Sequence, residues 1–326
     1  MLRLLVLIPA AGIGLAQISL TPITGGNYGG PFRPTIRVAP GQIVPLQFQG
    51  VRLLDGDGYR FLTAPPGFPL VETLGSVTVL VSKGDFAASP RRFEPIPILA
   101  LEQWSSLCNI SPQSDGCLVG VAFVQMPYDI PPEPSPTSPA ALRPSLIKIR
   151  FGATETAELR LLVDAIRPRI ARSCDLPPGR REVCDSDLVT TVGGKLLRTK
   201  NNYFSGMDLR SGETMVIYAY GLGRTDPEAV AGRETTRPMA IRAPLQVRFE
   251  WLEHNGGAME TINSEPQYAG LTPGTAGLYQ INVAIPEMPA AVERCTDNVR
   301  SNLRVSISAP AASLIEAVEI CVLPKQ

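Results

Sequence analysis

The sequence is poor in the residues from which most catalytic and metal centres are built. His254 is the one histidine, and none of the six cysteines has the C-x-x-C spacing of a zinc or redox site. The 30 basic residues balance the 30 acidic ones, so no net field recruits nucleic acid or an anionic membrane surface. These absences exclude partners chosen by bulk charge, and no cofactor, metal or catalytic residue is predicted.

Long apolar runs are also absent after the N-terminal stretch MLRLLVLIPAAGIGLAQ, which has the parts of a secretory signal peptide. A positive charge at Arg3 precedes the apolar run, and the small residues Gly14 and Ala16 stand where a signal peptidase requires them. The run is shorter than the roughly 20 residues of a spanning helix. A buried strand or a membrane anchor is the alternative. We predict a signal peptide over 1–16, a mature chain that begins at Gln17 without a membrane span, and a secreted, periplasmic or cell-surface location.

Export would give the six cysteines a structural role, because an even set can pair in an oxidising compartment. Six cysteines allow 15 connectivities. Two pairs of cysteines enclose short loops that contain Pro and Gly, which favours a disulfide within each pair. The two remaining cysteines form the third pair. The predicted disulfides are Cys108–Cys117, Cys174–Cys184 and Cys295–Cys321. A zinc site is the alternative, and the missing ligand spacings argue against it.

Short runs that alternate apolar and polar residues recur along the chain and predict a β protein. In LQVRFEW, every second residue from Leu245 to Trp251 is apolar, and an Asn-Gly pair suited to a tight hairpin turn follows. YQINVAIP alternates in the same way from Tyr279, whose hydroxyl is predicted to bond to the backbone of the preceding turn at Pro273 and Gly274. The segment Ile98–Ser106 is predicted to form a short helix.

Three blocks of sequence occur in the same order in both halves of the chain. The pairs of blocks are 39–53 with 210–224, 121–127 with 280–286, and 145–164 with 301–322. This order predicts that the halves share a sandwich topology. Gly41 is then equivalent to Gly212, and Pro127 is equivalent to Pro286.

The blocks predict two tandem copies of one antiparallel β domain. The predicted segments are a first sandwich over 17–166, a disulfide-clipped linker over 167–184 and a second sandwich over 185–326. The first copy is about a dozen residues longer between its blocks, and the extra residues are expected near the Cys108–Cys117 loop. The linker region contains five arginines and is predicted to be a solvated connector, with a polyanion site as the alternative. The Pro-rich residues 131–144 are predicted to be an extended loop.

The second half resembles a known family. GGKLLRTKNNYFSGMDLRSGETMVIYAYGLGRTDP and YAGLTPGTAGLYQINVAIP are similar to the pattern of the secreted Solibacter-type C-terminal domain, an uncharacterised family with many paralogues in acidobacteria. The first half is similar more weakly, through VAPGQIVPLQFQGV and VAFVQMPYDIP. The resemblance implies that the fold is two tandem immunoglobulin-like antiparallel β-sandwiches related to IPT/TIG domains, with no catalytic residue to carry over. NNYFSGMDLRSGE, Cys295 and Cys321 depart from the family pattern.

The sequence contains isolated matches to catalytic and calcium-binding motifs, but together they do not predict an active site. His254 stands at the tip of the predicted hairpin, and the sequence has no nucleophile motif that this histidine could activate. Ser145 and Lys148 satisfy S-x-x-K without its companion motifs. Asp55–Gly58 is predicted to be a hairpin turn, since a calcium loop would need Glu where Pro66 stands. A pair of carboxylates that cleaves glycosides is left open, because only geometry selects such a pair.

The sequence thus predicts a secreted, non-catalytic β-sandwich protein for adhesion, assembly or protein interaction. Its partner would be a protein or a polysaccharide at the cell exterior, with no nucleic acid. A carbohydrate-binding module is the first alternative and would show aromatic side chains exposed on one sheet face, although aromatics are only 6% of the residues. An enzyme with an unrecognised carboxylate site is the second alternative.

Overall fold

The structure of the protein is a computed structural model that describes most of the chain. The described residues are 19–22, 35–56, 59–84, 90–105, 118–132, 143–173, 175, 186–200, 206–253, 256–296, 299–310 and 315–325. The predicted signal peptide over 1–16 lies outside these residues, as do Cys108, Cys117, Cys174 and Cys184. The signal peptide and the two disulfides expected of these cysteines therefore stay predictions.

Every regular element within the described residues is a β-strand, which confirms the all-β fold class. The strands of the first half are β1 (Ser19–Pro22), β2 (Thr35–Val38), β3 (Ile43–Gln49), β4 (Arg60–Thr63), β5 (Thr73–Leu74), β6 (Val77–Ser82), β7 (Glu94–Pro95), β8 (Ile98–Ser105), β9 (Leu118–Gln125), β10 (Leu146–Phe151), β11 (Thr154–Glu155) and β12 (Leu159–Val163). The strands of the second half are β13 (Arg169–Ile170), β14 (Val189–Thr191), β15 (Leu209–Arg210), β16 (Thr214–Tyr220), β17 (Thr225–Asp226), β18 (Met239–Ile241), β19 (Gln246–Leu252), β20 (Ala258–Ser264), β21 (Tyr268–Leu271), β22 (Tyr279–Ala284), β23 (Leu303–Ser308), β24 (Glu316–Ile320) and β25 (Val322–Leu323).

The predicted short helix over Ile98–Ser106 is wrong. Ile98–Ser105 form strand β8, which pairs with β9 on one side and β4 on the other. Successive residues of β8 are buried, including Ala100 and Leu101 at 0% exposure. A strand covered on both faces is apolar at neighbouring positions, and such a run cannot be distinguished from a buried helix by periodicity alone.

The strands form two pairs of sheets. In the first half, the orders are β1-β3-β9-β8-β4 and β2-β12-β10-β6-β5, with β7 on β6 and β11 on β10. In the second half, the orders are β13-β16-β22-β21-β18-β17, with β14 on β16, and β20-β19-β23-β24, beside the pair β15-β25. Each half has a large buried apolar cluster to which strands of both its main sheets contribute. This arrangement is consistent with a sandwich, in which two sheets bury their inner faces against each other.

Alternation places the core residues of the second half where the sequence predicts them. β19 buries Val247, Phe249 and Trp251 at 0% exposure, and β20 returns beside it as the second strand of a hairpin. β22 buries Tyr279 and Ile281 in the same way. The pattern of period 2 is therefore a reliable sign of the buried face of these strands.

The sheet orders of the two halves correspond. The order β3-β9-β8-β4 of the first half matches β16-β22-β21-β18 of the second, and β12-β10-β6 matches β24-β23-β19. Even the unusual parallel contact is repeated, because β2 runs parallel to β12 and β15 runs parallel to β25. The strand order thus agrees with the predicted repeat, while the division of the chain into domains stays a prediction.

The register of the paired strands agrees with the predicted equivalences. Ile43 pairs with Gln125 in the first half, two residues after Gly41 and two before Pro127. Thr214 pairs with Ala284 at the same distances from Gly212 and Pro286. The two glycines have positive φ angles of 70° and 85°, which residues with a Cβ rarely adopt.

The turn before each of these strands is closed by the same hydrogen bond. In the first half, the amide of Ala39 donates to Oε1 of Gln42 at 2.8 Å. In the second half, the amide of Arg210 donates to Oε2 of Glu213 at 2.8 Å. Because Gln and Glu offer the same acceptor atom at the same reach, the turn persists although the residues differ.

The extra length of the first half lies where the sequence places it, between β8 and β9. β8 has 8 residues and the corresponding β21 has 4, and the connection that follows β8 spans 106–117, against 272–278 after β21. The start of the predicted linker is part of a sheet, since β13 pairs with β16. Ile166 and Ile170 are buried in the apolar cluster of the second half.

Candidate functional site

The two halves of the chain contact each other around Gly232, and this contact is called the junction below. The amide of Gly232 donates to Oε1 of Gln125 at 2.7 Å, and its carbonyl accepts from the amide of Leu70 at 2.7 Å. A Cβ atom at Gly232 would lie 2.7 Å from Cγ of Pro97, so glycine is needed for this approach. Hydrogen bonds and close packing therefore hold the two halves together.

Two buried tyrosines lie at the centre of the junction. Tyr128 belongs to the first half but is buried in the apolar cluster of the second, with 3% exposure. Its hydroxyl accepts from Nε2 of Gln125 at 3.3 Å and bonds to the hydroxyl of Tyr279. The Tyr279 hydroxyl donates to the carbonyl of Gly223 at 2.5 Å, so its acceptor is 56 residues away along the chain and not in the adjacent turn as predicted. The junction thus contains a continuous chain of hydrogen bonds.

Burial raises the pKa of the hydroxyls of Tyr128 and Tyr279 well above the ordinary tyrosine value, since the phenolate would be desolvated there. Burial also raises the pKa of Tyr220, and the negative charge of Asp175 adds to this effect. Tyr220 packs with Leu278 in a smaller apolar cluster. These hydroxyls keep their protons at physiological pH and serve as fixed hydrogen-bond groups.

Beside the junction is a cleft of about 440 Å³ that both halves line, and it is called the junction cleft below. Apolar lining is provided by Ile96, Pro97 and Val81 of the first half and by Ala229, Val230 and Ala231 of the second. Four carboxylates also line it, and they belong to Glu72, Glu94, Asp129 and Glu228. A cleft of this size with apolar walls and a few polar groups has the usual form of a ligand site.

Lys83 is the one cation among the residues that line the junction cleft. Its Nζ lies 2.6 Å from Oδ2 of Asp129 and 3.4 Å from Oε2 of Glu94. Partial burial opposes the charge of Lys83, but the two carboxylates outweigh this effect and hold its pKa above the usual 10.5. Glu228 lies 3.5 Å from Arg242, outside the cleft lining. Even when Arg242 is counted beside Lys83, the four carboxylates outnumber the cations, so the cleft has a net negative charge.

Cys295 and Cys321 form a disulfide, in agreement with the predicted pairing. Their Cα atoms are 6.0 Å apart, within the limit of about 7 Å for such a bond. Cys321 lies between β24 and β25, so the bond ties the connection after β22 to the C-terminal strands. A cystine is compatible with an oxidising compartment.

The S-x-x-K match has no catalytic geometry. Ser145 is buried, and its Oγ accepts from the amide of Gly84 at 2.9 Å. Lys148 lies three residues further along an extended segment, which places it on the opposite face. Its Nζ bonds to Glu155 at 2.6 Å and lies 4.2 Å from the centroid of the Phe93 ring. The two side chains therefore serve separate structural contacts.

The described arginines of the predicted linker region are paired with acidic residues. The pairs are Arg167 with Asp164 at 3.6 Å, Arg169 with Asp175 at 3.1 Å and Arg172 with Asp187 at 3.6 Å. Such pairing supports a connector rather than a polyanion site. Arg180 and Arg181 lie outside the described residues.

The turn expected at Asp55–Gly58 includes Asp57 and Gly58, which lie outside the described residues; the flanking strands β3 and β4 pair with β9 and β8 and not with each other. His254 lies outside the described residues. In the part of the chain that the structure describes, no three His, Cys, Asp or Glu side chains gather as metal ligands. The same part contains no helix long and apolar enough to cross a membrane.

Sequence reasoning did not identify the junction cleft, because its charged residues are scattered over distant segments. One signal was present in the repeat. VAFVQMPYDIP carries Gln125 and Tyr128 where the equivalent stretch of the second half carries Ala284 and Glu287. A polar and an aromatic residue confined to one copy indicate a contact that the other copy does not make.

The chain was compared with known proteins at the level of families and of individual relatives. No model of a known protein family matches it, and no curated protein matches it either. The resemblance to the Solibacter-type domain therefore stays a prediction from the residues.

Proposed function

We propose that the protein is an exported, non-catalytic interaction module for adhesion or assembly, and that the junction cleft binds a cationic side chain of a protein partner. The composition of the cleft carries this proposal. Apolar side chains of both halves form its walls, and carboxylates outnumber cations in its lining. A partner would present an arginine or a lysine on an exposed loop or tail.

Arginine and lysine match such a cleft because they combine an apolar stem with a charged head. The stem would pack against Ile96, Pro97 and Ala229, all of which line the cleft. The head would meet carboxylates, and a guanidinium can bond to a carboxylate through two parallel hydrogen bonds. A neutral head group of the same shape would lack the charge attraction.

The junction supports this function by fixing the two walls of the cleft. Ala231 directly precedes Gly232, whose amide and carbonyl are both bonded to the first half. Tyr128 lines the cleft and is also part of the buried chain of hydrogen bonds. A site built from two fixed walls loses little conformational entropy when a ligand binds.

Carbohydrate binding is less well supported than protein binding, because few aromatic side chains are exposed. Among the described residues, the exposed large apolar side chains include two aromatics, Tyr59 at 39% and Phe68 at 40%. Neither residue lies in a strand. The aromatic platform on a sheet face that would favour a polysaccharide partner is therefore missing from the described surface.

Hydrolysis of glycosides is also less well supported by the cleft. Glu94 and Asp129 both contact the ammonium of Lys83. A glycoside-cleaving pair instead needs one carboxyl group held protonated as the general acid.

Titration of the isotopically labelled mature protein with two short peptides, followed by amide NMR shifts, tests the proposal. One peptide carries a central arginine, and the other carries citrulline, its neutral isostere. We expect the arginine peptide to shift the amides of Lys83, Asp129 and Ala231, and the citrulline peptide to leave them in place. Added salt should weaken the response, because the carboxylates are partly exposed.

Matched variants distinguish binding at the junction cleft from a nonspecific attraction of the cationic peptide to acidic residues elsewhere on the surface. Glu228→Gln removes one cleft carboxylate and should weaken arginine-peptide binding several-fold, as expected for a partly exposed charge. Glu265→Gln changes an exposed carboxylate outside the cleft and should have no effect. Equal responses to both peptides, or shifts on a cello-oligosaccharide that cluster around Tyr59 and Phe68, would contradict the proposal.

A further inference from the structure

Strand β20 is an open edge of its sheet. It stands at the end of the order β20-β19-β23-β24 and pairs with β19 alone. No backbone group on its outer side bonds to another part of the described chain. Ala258, Met259, Glu260 and Thr261 are all exposed, so the first half of the strand is open to solvent. Its unpaired N–H and C=O groups form a template for another strand.

The opposite edge of the same sheet is closed. The amide of Lys200 donates to the carbonyl of Glu319 on β24 at 2.9 Å, and Thr199 forms a β-bridge with Ile320. The amide of Cys321 then donates to the carbonyl of Arg198 at 3.1 Å. The chain therefore covers one edge of this sheet with its own backbone and leaves β20 uncovered.

The sequence of β20, AMETINS, lacks the proline and lysine that commonly protect an edge strand, and its one irregularity is a shift of register against β19 between Trp251 and Leu252, at Met259. Exposed edges are commonly blocked by proline, by lysine or by very short length. β20 has 7 residues and contains no proline, lysine or arginine, and Glu260 is its one charged residue. By contrast, the edge strand β4 has 4 residues and contains Arg60.

We propose that β20 pairs with β20 of a second copy of this chain, antiparallel and about a two-fold axis at Thr261. Antiparallel pairing of identical strands is the symmetric way to satisfy both edges. Thr261 is the middle residue of the strand, so an axis there brings the greatest length of the two strands side by side. This interface is separate from the junction cleft and does not depend on its function.

The charges along β20 are compatible with this register. Glu260 of one copy would lie opposite Ile262 of the other, and Met259 would lie opposite Asn263. No position opposes two like charges. An axis moved by one residue, to Glu260, would place two carboxylates opposite each other, which is destabilising.

Both faces of the new pair would continue the existing sheet. Ile262 packs on the apolar cluster of the second half, so its face is the inner one. Thr261 lies on the outer face, beside Glu250 of β19. The two sheets of the dimer would therefore join into one sheet of eight strands without a change of fold.

Single cysteines on β20 test both the partner and the register. At opposed positions, Cβ atoms lie about 4.5–5.5 Å apart, so Thr261→Cys should join two copies by a disulfide under mild oxidation. Asn263→Cys is the matched control, since Asn263 and Thr261 lie beside Arg248 and Glu250 on the same face of the sheet. Two such cysteines would be separated by four residue steps, about 13 Å, and should remain unlinked. Non-reducing gel electrophoresis of the exported mature protein measures both results.

A charge variant provides an independent measurement of association. Thr261→Lys would place two ammonium groups opposite each other and should raise the dimer dissociation constant about tenfold or more. Light scattering across a concentration series gives this constant. A wild-type chain that stays monomeric at all concentrations, or Asn263→Cys linked as readily as Thr261→Cys, would overturn the proposal.

Discussion

Phe48 lies opposite Gly120 in the first half of the chain. At the equivalent pair of the second half the sizes are reversed, and Ala219 lies opposite Tyr279. One strand supplies an aromatic ring in each case, and its neighbour supplies almost no side chain. Cores tolerate such exchanges when the total volume is conserved. The comparison teaches that the cross-strand pair, and neither residue by itself, satisfies the packing of this fold.

The halves differ again where β9 and β22 end. Gln125 and Tyr128 of the first half are buried in the junction, at 1% and 3% exposure. The equivalent residues of the second half are Ala284, which is half-buried, and Glu287, which is exposed. The shared pattern therefore sets the strand order, and residues confined to one copy form the contact between the copies.

Exchanging residues between these equivalent positions should give the largest effect. Tyr128→Glu would bury a carboxylate without a cation and should lower the free energy of unfolding by about 3–5 kcal/mol. Glu287→Tyr, the reverse exchange at an exposed site, should change it by less than about 0.5 kcal/mol. Urea denaturation followed by tryptophan fluorescence measures both changes.

The two tryptophans make this test specific, because Trp104 lies in the first half and Trp251 in the second. Each variant can be studied with one tryptophan replaced by phenylalanine, so that each half reports separately. Equal midpoints for Tyr128→Glu and the wild type would show that Tyr128 does not stabilise the junction.

The disulfide is a further difference, since Leu162 stands in the first half at the position equivalent to Cys321. The bond joins cysteines that are 26 residues apart. In the chain-entropy treatment, a loop of this size stabilises by about 3 kcal/mol or slightly more. Replacing Cys295 and Cys321 by alanine should cost that amount, seen first in the Trp251 signal. A loss below about 1 kcal/mol would contradict the prediction.

Peptide mapping without reduction complements this measurement. The exported protein should yield the Cys295–Cys321 pair together with the two predicted pairs outside the described residues, Cys108–Cys117 and Cys174–Cys184. A crossed pair between Cys117 and Cys174 would refute the assignment based on spacing.

Much of the fold could be predicted because the strands of the second half are covered on one face. LQVRFEW alternates cleanly, and Val247, Phe249 and Trp251 are the buried residues. β8 could not be recognised in this way, since its residues 98–101 are apolar in succession and the polar Glu102 and Gln103 that follow are buried as well. Its neighbours in the sheet, and not its own periodicity, determine that it is a strand.

A substitution at Gly120 directly tests the packing of the cross-strand pair Phe48 and Gly120. Its backbone is not in the left-handed region, so the cost of a side chain there is steric. A Cβ atom would lie 2.7 Å from Cδ1 of Leu53 and 2.9 Å from the Phe48 ring. Gly120→Ala should therefore cost about 1–3 kcal/mol, which urea denaturation measures.

A double-mutant cycle shows whether Phe48 is the cause of this cost. Combined with Phe48→Leu, the Gly120→Ala change should cost less than it does alone, because the ring is gone. Gly193→Ala is the control, since the nearest atom to its Cβ would be 3.6 Å away. Additive losses would show that the two positions are not coupled.

The candidate site could be predicted much less well than the fold. Lys83, Asp129 and Glu228 are ordinary charged residues in the sequence, and only the contact between the halves brings them to one cleft. The junction itself depends on Gly232, whose role arises from its approach to Pro97. Such contacts between distant segments leave no periodic signal in a single sequence.

The smallest expected effect concerns two carboxylates on the outer faces of the sheets. Hydrogen bonds from Lys148 and Arg150 lower the pKa of Glu155 in the first half. Partial burial alone would raise the pKa of Glu319 in the second half, but hydrogen bonds from Lys200 and Arg304 outweigh it and lower the pKa. The Glu319 side chain is 17% exposed and that of Glu155 is 33% exposed.

A lowered pKa in the folded state stabilises the protein above the ordinary glutamate pKa of about 4.3, and this contribution is lost as the pH falls through the lower value. Because both groups are partly exposed, solvent screening should keep the contribution of Glu319 below about 1 kcal/mol. Glu319→Gln should therefore reduce stability at pH 7 and make little difference at pH 3, with a smaller change for Glu155→Gln. Urea denaturation at the two pH values measures both differences. Since the better-shielded carboxylate should show the stronger pH dependence, a larger effect at Glu155 would mean that exposure does not govern these pairs.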